Sequence, residues 1–139
     1  MGQRTFGTLS LTFPDAATPS ERAGTLSTKD QQQTLKAREG VSATAVSTAV
    51  VLKGYPDRFL IKGVTAEGLE SEGQAVEAID EVVTNLETAL LTFKQERLLR
   101  AAQVHEDLLR VNRYVSSQEL DDPTLRQLIP DLNGYVNRD

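Results

Sequence analysis

The chain has 139 residues, a formal net charge of −5, one histidine, no cysteine and no tryptophan. Its length suits one domain with a real core, and the lack of cysteine excludes a disulfide framework and a thiolate metal site. No apolar run approaches the roughly 20 residues of a membrane span, and the N-terminus lacks a signal peptide's basic flank and apolar stretch, so a soluble protein made in a cytoplasm is expected.

In chain order, Thr5–Phe13 alternates apolar and polar residues and reads as a strand, followed by the turn-rich PDAATPSERAG. Thr25–Thr28 and Gln33–Arg38 read as short strands. Ser47–Thr65, STAVVLKGYPDRFLIKGVT, reads as a hairpin: Val50, Val51 and Leu52 lead into a Gly-Tyr-Pro-Asp turn, and Phe59, Leu60 and Ile61 lead out. Parity places Arg58 and Lys62 on one face, and a short turn brings Lys53 onto it. Cations without acids on a sheet face suit a polyanion, although plain solvent is the commoner neighbour of such a face. Gly63 to Gly73 reads as an acidic turn region.

From Gln74 to Asp122 there is neither Gly nor Pro. Val76, Ile79, Val83, Leu86, Leu90 and Phe93 keep a 3–4 spacing, which is helical. Val82–Phe93 also carries three Thr and two Val, which suits a strand. Periodicity alone leaves both open. From Gln95 to Val115 the helical signal is firmer, with Leu98, Ala101, Val104, Leu108, Val111 and Val115 in one stripe. Asp122-Pro123 then opens a short helix through Ile129 that Pro130 stops.

Charge is unevenly spread. Residues 1–65 hold eight Lys and Arg against five acids, and residues 66–139 hold seven against fifteen. Such asymmetry hints at a polarised molecule, and solvated acidic helix faces explain it equally well. Catalytic motifs are missing: no phosphate-binding Gly-rich loop, nucleophile elbow or H-E-x-x-H. His105 lacks an i, i+4 ligand partner and reads as a surface histidine. The acids from Glu67 to Glu81 lack the calcium-loop pattern and read as solvated. No enzyme, no metal and no cofactor are expected.

The segments TLSLTFPDAATPSERAGTLS, LKAREGVSATAVSTAVVLKGYPDRFLIKGV, NLETALLTF, QERLLRAAQVHEDLLRV and DPTLRQLIPDLNGYV resemble, in kind and order, the coat proteins of the small single-stranded RNA bacteriophages, the leviviruses. The resemblance implies an α+β fold over residues 1–139. An N-terminal hairpin and an antiparallel meander of about five strands, mainly within 1–93, precede two C-terminal helices in 94–139 that pack on a dimer partner. It makes Val82–Phe93 the last strand. It implies a capsid protein of the virion, assembled in the bacterial host cytoplasm, that forms an obligate homodimer and an icosahedral shell around single-stranded RNA. Carried over by position, RNA contacts fall on Lys53, Arg58 and Lys62 and on Asn85 and Glu87. The last two share a strand face and correspond to residues that help bind an RNA operator hairpin. Val104, Leu108 and Val111 of the apolar stripe are the expected dimer contacts. Two other readings compete: another virion protein, such as a tail or decoration component, and a small regulator of the HicB antitoxin type, which requires Gln74–Phe93 to be helical.

Overall fold

The structure is a computed structural model that describes residues 1–138. It is mainly helical. Strands β1 (Gly2–Phe6) and β2 (Leu9–Phe13) precede helices α1 (Thr28–Gln33), α2 (Val41–Gly54), α3 (Ala66–Ser117) and α4 (Pro130–Val136), with 3-10 turns at Asp15–Ala17 and Leu125–Leu128. By internal contacts the chain divides into two compact units, Met1–Glu87 and Thr88–Asp139, and α3 contributes to both.

The expected five-stranded meander is therefore corrected: the described residues hold one two-stranded antiparallel sheet. That hairpin lies inside the stretch read as a single strand. Gly7, with φ +62°, opens a two-residue turn between Phe6 and Leu9, the place where a hairpin of this class uses glycine. Phe13 is buried against Gly2, where a Cβ would stand 2.4 Å from the ring.

The strand expected near Thr25–Thr28 is the entry to α1 instead. Ser27 Oγ accepts the Asp30 N–H at 3.0 Å, and the Asp30 carboxylate accepts the Ser27 N–H, a reciprocal cap. Gln33–Arg38 is not a strand either.

The central hairpin is also corrected. Its first strand is the C-terminal half of α2, and its second is an irregular loop before α3. β-branched residues weaken a helix only slightly, and here packing decides. Ala49 is fully buried. Gly73 of α3 lies so close to α2 that a Cβ would meet Ala45 Cβ at 2.9 Å and the Ser42 carbonyl oxygen at 3.1 Å. Small residues on both helices let the two backbones approach.

The acidic turn region read at 63–73 mostly belongs to α3. Thr65 starts that helix, its Oγ1 accepting the Gly68 N–H at 3.0 Å. Val82–Phe93 is α-helical, not a strand, and the 3–4 spacing was the governing signal. Thr84 and Thr92 are accommodated by bonding their hydroxyls to the carbonyls of Asp80 and Thr88. Of the expected C-terminal helix pair, the first is the latter part of α3. The second shrinks to the 3-10 turn, and Pro130 starts α4 rather than only ending a helix.

Candidate functional site

No catalytic or metal constellation forms among the described residues: no group of three or more His, Asp or Glu side chains is placed to hold an ion. His105 Nδ1 instead hydrogen-bonds the Tyr135 hydroxyl, and the two rings meet edge-on with centroids 5.6 Å apart. None of the described side chains leaves a buried polar atom without a partner.

The residues expected at an RNA face do not share a surface of one sheet. Lys53 lies in the last turn of α2 and is paired with Glu70 of α3. That pairing raises its pKa above the ordinary lysine range, chiefly through the hydrogen bond to Glu70. Arg58 is in the following loop, its guanidinium 5.8 Å from the centre of the Tyr55 ring. Lys62 is exposed in the same loop. Asn85 and Glu87 are exposed on α3. In a helix, i and i+2 point about 200° apart, so these two do not share a face as they would in a strand.

The surface that stands out is apolar. The buried apolar side chains are few: Phe13, Ala17, Ala49, Val115 and Leu132. Along α3, by contrast, the 3–4 series remains open to solvent. Val76 is 36 % exposed, Ile79 42 %, Val83 45 %, Leu86 37 %, Leu90 55 % and Phe93 71 %. These six occupy consecutive a and d positions of three heptads, the pattern of a helix seam that another helix covers. On the side of α3 away from Gly73 and α2, Ala75, Ala78 and Val82 are half-buried. After Leu90 and Phe93 the next a and d positions are Arg97 and Arg100, which interrupt the seam, and Val104 and Val111 resume it at a positions. Lys94 also falls in that interruption.

Of the three expected dimer contacts, Val104 and Val111 are exposed on α3 and Leu108 is half-buried. Val115, four residues on, is buried, as is Leu132 of α4. The chain after α3 is tied back by Arg126. Its guanidinium donates to Asn112 Oδ1 at 3.0 Å, Asn133 Oδ1 at 2.8 Å, Ser116 Oγ at 2.8 Å and Glu119 Oε1 at 3.1 Å. Sequence reading missed this cluster, and only its helical spacing Asn112–Ser116–Glu119 was available as a signal. It missed the Lys53–Glu70 pair for the same reason, since seventeen residues separate the partners.

Comparison with family models, with curated proteins and with solved structures finds no match.

Proposed function

We propose that this chain is a non-catalytic structural protein that works as a self-association module, with α3 as its assembly element. One observation carries this reading: six large apolar side chains at strict a and d positions, all exposed, on a chain whose own buried core is small. Contiguous apolar surface on a soluble protein marks an interaction site, and heptad spacing specifies a helical partner.

A virion component assembled from copies of itself is a special case of this reading, supported by the segment-wise resemblance to phage coat proteins. The exposed seam supports the assembly role of that reading, whereas the sheet on which an RNA-binding face was expected is absent among the described residues. Lys53, Arg58 and Lys62 supply cations for RNA only if the loop and α2 present them without the sheet, and the Lys53–Glu70 pair opposes that for Lys53.

Sedimentation and light scattering test the reading. The wild-type chain is expected to be a defined oligomer or particle. Leu86→Asp, which places a carboxylate in the seam, is expected to lower the mass to that of one chain. Leu91→Gln, exposed but outside the a and d series, leaves the assembly intact. A wild-type monomer at micromolar concentration refutes the proposal. Uniform shells on electron microscopy, containing nucleic acid, select the virion form of it.

A further inference from the structure

Resting on that self-association reading, we infer that α3 meets the α3 of a second copy in antiparallel orientation, the acidic first part of one helix against the basic second part of the other. From Ala66 to Phe93 the helix holds seven acids and no lysine or arginine. From Lys94 to Ser117 it holds five lysines and arginines against three acids. Of the seven acids, Glu70 is ion-paired with Lys53, and Glu67 lies close enough to act on the same lysine.

Paired helices lie about 8–10 Å apart, within roughly one Debye length at physiological salt. A parallel, in-register pair sets the acidic stretch against its own duplicate, including Asp80 and Glu87, which directly flank the apolar seam. An antiparallel pair sets that stretch against Arg97, Arg100, Arg110 and Arg113 of the other copy. The helix dipoles then also oppose one another instead of aligning. The apolar positions permit this arrangement in both parts of the helix. Val76, Ile79, Val83 and Leu86 are open in the acidic part, and in the basic part Val104 and Val111 are open although Val115, on the same face one turn further on, is buried.

Pulsed dipolar spectroscopy on a spin label settles the orientation, and the absence of cysteine makes single-site labelling direct. Ser71 is exposed near the start of α3. With Ser71→Cys labelled on every copy, a fully overlapped antiparallel pair separates the two labels by about 60 Å, and a parallel pair brings them within about 20 Å. A separation beyond about 35 Å supports the inference, and any shorter one overturns it while leaving self-association standing. Mixing copies labelled at Ser71 with copies labelled at Ala102→Cys is expected to add a distance of about 30 Å or less. Salt supplies a second sign. Association that weakens between about 50 mM and 500 mM salt fits opposed charges, and association that strengthens overturns the antiparallel arrangement. A monomer in sedimentation removes the self-association reading itself.

Discussion

The joint between α2 and α3 in the first unit and the joint between α3 and the C-terminal segment in the second are made in opposite ways. At the first, side chains are nearly absent: Gly73 lies against Ala45 and the Ser42 carbonyl, so that two helices touch almost backbone to backbone. At the second, one long side chain, Arg126, spans the gap and bonds four residues. A contact made by missing atoms tolerates no added volume. A contact made by hydrogen bonds tolerates shape changes but not loss of its donor.

The sharpest way to break this contrast is Gly73→Leu. The added side chain has no room against Ala45 and the Ser42 carbonyl, and overpacking of this kind costs about 3 kcal/mol. Hydrogen exchange is expected to rise in α2 and stay unchanged in residues 118–138. Gly73→Ala sharpens the point, since alanine favours a helix by about 1 kcal/mol over glycine while its Cβ meets the same crowding. A stabilised Gly73→Ala variant would show that the helices move apart at little cost.

Arg126→Met keeps an unbranched stem and removes every donor. A loss of about 2 kcal/mol is expected, read as increased exchange in α4 and around Ser116, with α2 unaffected. A smaller loss, about 0.5–1 kcal/mol, is expected for Tyr135→Phe, which removes the hydroxyl bonded to His105.

The smallest effect concerns pH. Pairing with Glu70 raises the folded pKa of Lys53 above its unfolded value. The pair's contribution is therefore complete below the ordinary lysine range and fades as pH rises through the raised value. Solvent screens this exposed pair, so a melting curve of Lys53→Met is expected to differ slightly from wild type at neutral pH and to converge with it in strong alkali. A gap that widens in alkali would contradict the pairing.

Some of this architecture was legible without coordinates. Helical periodicity is a local property of the chain, so the stripe Leu98–Val115 marks the second part of α3. The 3–4 series Val76–Phe93, with the absence of Gly and Pro from 74 to 122, carries a helical signal for the first part that the strand reading of 82–93 sets aside. The Ser27–Asp30 cap and the Glu106–Arg110 pair, at 2.8 Å, are local too, yet the sequence reading passes over both and makes Thr25–Thr28 a strand. The shared face of the seam follows from the same 3–4 series, although a resemblance of segments favoured a strand there.

The remainder depended on tertiary contacts. Ser47–Leu52 is rich in β-branched residues and carries strand chemistry, yet it is helical, in a helix whose Ala45 and Val46 pack on a glycine more than twenty residues away. Whether Lys53, Arg58 and Lys62 line one face could not be read from parity once the hairpin was not a hairpin. Periodicity determined which residues share a helix face, whereas only the fold decided which of those faces are covered. Burial depends on neighbours distant in sequence, and no local pattern encodes them.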